Sequence, residues 1–157
     1  MPIEIERKFK VKSNEFINEA FDSKKIKQGY ISKSKKANVR IRVSDDKGYI
    51  TIKGKSDDKG ISRYEWEHEI SKKEALELLK FSNGDIVEKT RYLVKEESGL
   101  VFEIDVFEGN NKGLIIAEIE LEYETQEFIK PNWLDIEVTG NKKYYNSHLS
   151  KNPYNQW

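Results

Sequence analysis

The stretch IEIERKFKV, at positions 3–11, decides how the rest of this chain is interpreted. Apolar and charged residues alternate along it with a period of two, which predicts a β-strand. One face of this strand carries Ile3, Ile5 and Phe9. The opposite face carries a row of charged residues: Glu4, Glu6 and Lys8. The fold depends on whether that charged row faces water or encloses a site.

Further segments of the chain also have the alternation that is typical of strands. They lie at 30–32, 38–44, 48–53, 62–70, 86–94, 100–107, 115–123 and 133–138. Short helices are predicted at 13–21, 71–81 and 143–149, and the second has the capping-box pattern of Ser71 followed by Glu74. Many short antiparallel strands with few helices indicate the α+β class, with a sheet large enough to close on itself.

The polar faces of these strands are charged, and most of them carry one sign. In chain order they present Arg40 and Arg42; Thr51 and Lys53; Glu65, Glu67 and Glu69; Lys89 and Arg91; Glu103 and Asp105; and Glu118, Glu120 and Glu122. For any single strand, a solvated sheet face with cross-strand ion pairs explains the pattern.

The clustering of like charges favours a different interpretation for the whole set. Side chains at i and i+2 on one face lie about 6.5–7 Å apart. At an effective dielectric of about 20, like charges at that distance repel by roughly 2–2.5 kcal/mol. Open water weakens this repulsion, whereas a closed interior does not. Inside a barrel, acidic rows would need cations and basic rows a polyanion, and a phosphate chain bound with divalent metal satisfies both.

Composition excludes several classes of site. The chain has 157 residues, no cysteine and only two histidines, His68 and His148, so thiol catalysis and zinc-hydrolase chemistry are not expected. A metal here would be a hard, oxygen-preferring cation such as Mg²⁺, Mn²⁺ or Ca²⁺. The formal net charge of zero gives no support for a nucleic-acid or membrane partner. No apolar run is long enough for a membrane span, and a cytoplasmic location is expected.

Motifs along nearly the whole chain resemble the CYTH superfamily, the triphosphate tunnel metalloenzymes. The motif EIERK at 4–8 is similar to the ExExK motif of that family. Further matches follow in order: QGYI at 28–31, VRIRV at 39–43, TIKGK at 51–55, SRYEWEHEI at 62–70, EKTRY at 88–92, FEIDVF at 102–107, GLIIAEIELE at 113–122 and EVTGNKKYYNSHL at 137–149. The set is most similar to the small bacterial single-domain members.

This resemblance implies one domain over residues 1–157, built as a closed eight-stranded antiparallel β-barrel that forms a tunnel with charged side chains inside. It implies an inorganic triphosphatase that cleaves triphosphate to pyrophosphate and phosphate with Mg²⁺ or Mn²⁺, two cations being expected. The alternatives are a class IV-type adenylate cyclase, a thiamine or nucleoside triphosphatase on the same fold, and a polyphosphate-binding module that does not cleave its ligand.

The resemblance also implies roles by position. The metal-binding positions are Glu4, Glu6, Glu118 and Glu120. The phosphate-binding positions are Lys8, Arg40, Arg42, Lys53, Lys89, Arg91 and Lys143. Acidic lining positions, which either order the basic side chains or contact metal, are Glu65, Glu67, Glu103, Asp105 and Glu122. Tyr30 falls near the site. Catalytic roles are expected for Glu4, Glu6, Lys8 and Tyr30, and the base is either Lys8 or a water activated by metal, with the second preferred.

The remaining expectations concern the outside of the barrel. Ile3, Ile5 and Phe9 would then face outward, toward helices or a partner subunit. Trp66 and Trp133 are expected to pack on the exterior, His68 to lie on the outer face, and the helix at 71–81 to act as a strut. A homodimer through an apolar outer face is a further expectation.

Overall fold

The computed structural model describes residues 3–157, and nearly half of these residues lie in one antiparallel sheet. Its nine strands are β1 (Ile3–Val11), β2 (Asp22–Lys33), β3 (Ala37–Ser44), β4 (Lys47–Gly54), β5 (Ser62–Ser71), β6 (Val87–Lys95), β7 (Val101–Phe107), β8 (Ile115–Glu120) and β9 (Leu134–Glu137). The spatial order is β5-β4-β3-β2-β6-β7-β8-β1-β9, and β5 also pairs with β1. That pairing closes the first eight strands into a barrel, with β9 as an extra strand beside β1.

The first strand closes the barrel because it pairs with both β5 and β8, and it also pairs with β9. Its residues 3–5 pair with β5, residues 6–10 pair with β8, and Phe9 and Val11 pair with β9. In this register Glu4 lies opposite Arg63, and Lys8 lies opposite Glu118. The closure therefore brings charged residues from both ends of the chain to one seam.

The apolar core lies outside the barrel wall rather than inside it. Phe9, Phe102 and Ile104 are buried on the outer face of β1 and β7, under a cover that includes Phe16 and Trp133. Trp133 meets Phe102 edge-on, with ring centroids 5.2 Å apart. A second apolar cluster lies where the helix after β5 covers the outer face of β3. The expectation that apolar strand faces point outward is confirmed for Ile5 and Phe9.

Three short helices accompany the sheet: α1 (Phe16–Glu19), α2 (Lys72–Leu79) and α3 (Asn146–Leu149). The capping box of α2 forms as expected, since Ser71 accepts from the Glu74 backbone and Glu74 accepts from that of Ser71. Ala75 is buried against β3, as a strut requires. Among residues 3–157, no helix is long and apolar enough to cross a membrane.

Several predicted boundaries were wrong. The first helix is shorter than 13–21, because Ser13 does not cap it and Phe21 is exposed. Phe81 also lies in solvent and is not part of the apolar face of α2. The strand predicted at 30–32 is the end of the much longer β2, whose lysine-rich first half hides the alternation.

The end of the chain differs most from the expectation. The strand predicted to reach position 123 ends at Glu120, where the backbone N–H of Leu121 donates to Ile5 and the chain leaves the sheet. The helix predicted at 143–149 is split into a 3-10 turn, Lys142–Tyr144, and α3. Tyr145 separates the two with an extended backbone.

The segment that contains α3 is held against one end of the barrel. Lys33 Nζ donates to the Ser147 carbonyl and to Ser150 Oγ, both at 2.9 Å. Gly60 and Gly140 also meet in adjacent loops, each with a positive φ. A Cβ on Gly60 would lie 2.3 Å from the Gly140 Cα, so the two backbones touch. These contacts place residues 145–147 at the wall of the barrel interior.

Candidate active site

The barrel encloses a charged cavity of about 520 Å³. Six predicted basic residues line it: Lys8, Arg40, Arg42, Lys53, Lys89 and Arg91. Seven predicted acidic residues also line it: Glu4, Glu6, Glu65, Glu67, Glu103, Glu118 and Glu120. Tyr30 completes the predicted set, next to a register shift between β2 and β3 that follows it. The alternative of a charged face turned to solvent is therefore wrong.

Three predicted site residues are not in the cavity wall. Lys143 is exposed, and its Nζ lies 4.0 Å from the centre of the Trp157 ring, which does not line the cavity. Glu122 follows the end of β8 and lies beside an outer groove near Leu93. Asp105 faces inward but lies behind the basic residues, almost completely buried.

Glu4 is held by two cations at the closure between β1 and β5. Lys53 Nζ lies 3.0 and 3.2 Å from its two carboxylate oxygens, and Arg63 Nε lies 3.4 Å from one of them. Burial alone would raise the pKa of Glu4, but Lys53 and Arg63 outweigh it and lower the pKa. Glu4 is therefore ionised and already paired.

Glu6 has the opposite electrostatic environment. Burial, with the nearby carboxylates of Glu118 and Glu4, raises the pKa of Glu6 to about 8. Its nearest cation is Arg63, with Nη2 at 3.8 Å. Glu6 thus lacks a close partner for its charge, and a bound cation would supply one.

Lys8 and Glu118 form a pair across β1 and β8, with Nζ and Oε1 3.4 Å apart. Burial lowers the pKa of Lys8, but Glu118 and Glu6 outweigh it and hold the pKa above its ordinary value. Burial likewise raises the pKa of Glu118, but Lys8 and Arg91 hold it well below its usual range. Lys8 is therefore a protonated donor, which argues against its role as a base.

A second charge network lies between β6 and β7. Asp105 accepts from Lys89 Nζ at 2.6 Å and from Arg91 Nε and Nη2 at 2.8 and 3.0 Å. Glu103 accepts from Arg91 Nη1 at 2.9 Å. Burial, with the neighbouring Arg91 and Arg42, lowers the pKa of Lys89. Asp105 therefore orders two basic side chains and has no free oxygen directed at the cavity.

Arg40 has a buried donor that the protein leaves without an acceptor. One of its Nη atoms lies 3.2 Å from Thr51 Oγ1, which in turn donates to Glu67 at 2.8 Å. Its Nε is buried without a hydrogen-bond partner in residues 3–157. A buried donor without an acceptor is costly, so this position suits an anionic ligand.

Seven residues that line the cavity were not among the predicted site residues: Ile3, Asn38, Arg63, Trp66, Tyr145, Asn146 and Ser147. Arg63 could have been predicted from the alternation, because it lies two positions before Glu65 and therefore on the same face of the strand. Tyr145 and Asn146 could not, since they come from the irregular segment around α3.

The carboxylates of β1 and β8 form a candidate donor set for a metal ion. Within residues 3–157, no three Asp, Glu or His side chains already converge in an arrangement that could hold an ion. However, Glu6, Glu118 and Glu120 are neighbours on β1 and β8, and carboxylates are the ligands that Mg²⁺ and Mn²⁺ prefer. The residues therefore fit a divalent cation.

Comparison with known proteins agrees with this architecture. The family model described as the CYTH domain matches residues 2–153. The inorganic triphosphatase of Acetivibrio thermocellus is 47% identical over 152 residues, which cover 96% of this chain and 95% of that protein. The inorganic triphosphatase of Nitrosomonas europaea is 35% identical, over 94% of this chain and 96% of that protein. A crystal structure of an inorganic triphosphatase has a TM-score of 0.66 at 32% identity, covering 96% of this chain and 95% of that one.

Proposed function

Because the chain belongs to the CYTH domain family, we propose that it is an inorganic triphosphatase that cleaves triphosphate to pyrophosphate and phosphate inside the barrel. Two relatives that match nearly the full chain are named inorganic triphosphatases. The observation that carries the proposal is the basic wall of the cavity, in which Arg40 keeps a buried N–H without an acceptor. A polyphosphate supplies several anionic acceptors at once.

The residues divide the work by position. Arg40, Arg42 and Arg91 donate to non-bridging oxygens, and Arg91 is fixed in orientation by Asp105. Lys8, as a protonated ammonium beside Glu118, neutralises charge that develops on the phosphate chain. Tyr30 forms part of the same wall, and its hydroxyl group can donate a hydrogen bond to the ligand.

Divalent cations, for which we propose Mg²⁺ or Mn²⁺, would be held by Glu6, Glu118 and Glu120, joined by Glu4. When bound, such a cation neutralises phosphate oxygens and favours ionisation of water near neutral pH. A cation there would share Glu4 with Lys53 and Arg63, the two residues that contact it in the structure. With a cation bound at Glu4, Lys53 would be available to donate to a substrate oxygen.

The test is phosphate release by the unmodified protein from triphosphate, ATP, thiamine triphosphate and pyrophosphate, each with Mg²⁺, Mn²⁺, Ca²⁺ or EDTA. We expect cleavage of triphosphate far above that of ATP, and none in EDTA. Cyclic AMP formed from ATP would overturn the proposal in favour of a cyclase. Tight triphosphate binding without turnover under any metal would indicate a binding module.

Matched variants connect that activity with the cavity. Arg40→Ala should reduce kcat/KM for triphosphate by at least about a hundredfold, because it removes a charged donor from a buried wall. Glu69→Gln is the control. Glu69 continues the acidic row of Glu65 and Glu67 on β5, but it forms only an exposed pair with Lys47, at 3.9 Å. Equal activity of both variants would contradict a site in this cavity.

A further inference from the structure

A chain of side-chain amides connects two of the basic residues. Gln28 on β2 is completely buried and lies opposite Arg42 in the register of β2 and β3. Its Oε1 accepts from Arg42 Nε at 2.9 Å, and its Nε2 donates to Asn146 Oδ1 at 3.1 Å. Asn146 Oδ1 also accepts from Lys89 Nζ at 2.9 Å.

The donor properties of arginine fix the direction of every bond in this chain. Arg42 can only donate, so the oxygen of Gln28 must face it. The NH₂ group of Gln28 can only donate, so the oxygen of Asn146 must face Gln28. This assignment needs no choice of amide rotamer, because the reversed orientation of either amide would place two donors against each other.

One donor group, the side-chain NH₂ of Asn146, remains free in this hydrogen-bonded series. With its oxygen occupied by Gln28 and Lys89, the NH₂ group of Asn146 has no hydrogen-bond partner within residues 3–157, although Asn146 lines the cavity. The position of Asn146 is also fixed from behind, since Lys33 holds the Ser147 carbonyl. A rigid, neutral donor thus stands beside Lys89 at the wall of the cavity.

We propose that Asn146 is a substrate-binding residue, whose NH₂ group donates to a phosphate oxygen of the triphosphate next to Lys89, and that Gln28 is the positioning residue that orients it. This inference rests on the proposed function. The NH₂ group needs an acceptor, which a phosphate oxygen supplies. Because the amide is neutral, it adds a donor without another positive charge beside Arg42, Lys89 and Arg91. It also connects the segment after β9 to substrate binding.

The test uses a change that separates donation from packing. In Asn146→Asp, a carboxylate oxygen still accepts from Gln28 and Lys89, so the segment stays docked while the donor is lost. We expect KM for triphosphate to rise by about tenfold or more, with the melting temperature unchanged or higher. Asn146→Leu removes donor and acceptor without adding charge, and KM should rise there too.

Ser147→Asp is the matched control, because it adds the same charge at the neighbouring cavity position and leaves the amide intact. We expect it to raise KM by less than a third as much as Asn146→Asp. A wild-type KM in Asn146→Asp would overturn the inference and leave a purely structural role. An equal rise in Ser147→Asp would also overturn it, as a charge effect.

The two failures are distinguishable. Triphosphate cleavage by the unmodified protein, with a wild-type KM in Asn146→Asp, contradicts only the role of Asn146. An unmodified protein that neither binds triphosphate in a calorimeter nor cleaves it contradicts both. If Asn146→Leu does not fold, Asn146→Asp and Ser147→Asp still decide the outcome.

Discussion

Lys53 on β4 holds Glu4 on β1 through both carboxylate oxygens, at 3.0 and 3.2 Å, at the point where the barrel closes. The same glutamate is a proposed metal ligand, and the same lysine is proposed to donate a hydrogen bond to a phosphate oxygen. In the structure the two side chains therefore satisfy each other. Metal and substrate would each replace one half of this ion pair.

The Lys53→Met variant should bind Mn²⁺ several-fold more tightly than the unmodified protein in the absence of triphosphate. Removal of Lys53 leaves Glu4 with Arg63 alone and takes away the cation that competes with metal. Triphosphate affinity should fall in the same variant. Calorimetric titration measures both, with Lys47→Met as an exposed control. Weaker Mn²⁺ binding in Lys53→Met would contradict this competition.

Glu6 should make the metal-free protein less stable as pH rises. Its pKa is raised from 4.5 to about 8, so between these values the native state keeps a proton that the unfolded state has lost. The free energy of unfolding therefore falls across this window, by up to about 1.4 kcal/mol per pH unit from this group. Urea denaturation from pH 5 to 8.5 in EDTA measures it.

The Glu6→Gln variant is the comparison for that prediction, because it cannot titrate. Its stability should fall less than that of the unmodified protein between pH 5 and 8.5. The two proteins should have parallel pH profiles below about pH 4.5, where both hold a neutral side chain. Identical slopes across the whole range would show that Glu6 has an ordinary pKa.

Asp105→Asn should destabilise the protein by about 3 kcal/mol, since it leaves Lys89 and Arg91 buried without their shared anion. Triphosphate should raise the melting temperature of this variant by more than it raises that of the unmodified protein. Thermal melting with and without triphosphate tests this, and Glu69→Gln serves as an exposed control. A stable Asp105→Asn protein would indicate that Lys89 is neutral in the free chain.

Gly60→Ala should cost about 2 kcal/mol more than Gly99→Ala. Both glycines have a positive φ, so both substitutions strain the backbone by about 1 kcal/mol. A Cβ at Gly60 would also collide with the Gly140 Cα, whereas Gly99 has open space around it. Urea denaturation of the two variants measures the difference. Equal losses would mean that the two loops separate easily.

The alternation of charged and apolar residues was enough to predict which strand faces point into the barrel. The inward placement of Glu4, Arg40 and Glu118 follows from it directly. The pattern could not predict depth. Asp105 has the same inward phase as Glu103 but lies behind Lys89 and Arg91, since two long basic side chains cover one short acid.

Other parts of the site depend on contacts that a local pattern does not contain. Gln28 and Asn146 are far apart in the chain and meet only because the segment after β9 is held by Lys33. Lys143 was expected in the cavity by position, but its side chain stacks on Trp157 instead. Irregular segments have no period, so the direction of each side chain follows from tertiary packing alone.

The pairing of β1 with β8 and β9 has a consequence for biosynthesis. Glu6 leaves the ribosome long before its partner Glu120, and the closure beside Arg63 is only three residues long. A growing chain can form the β2–β3–β4–β5 meander early, but its acidic first strand must wait for β8. The nascent protein therefore exposes Glu6 and Lys8 on an unpaired, charged edge. Such an edge resists aggregation, and it carries no complete site until synthesis is nearly finished.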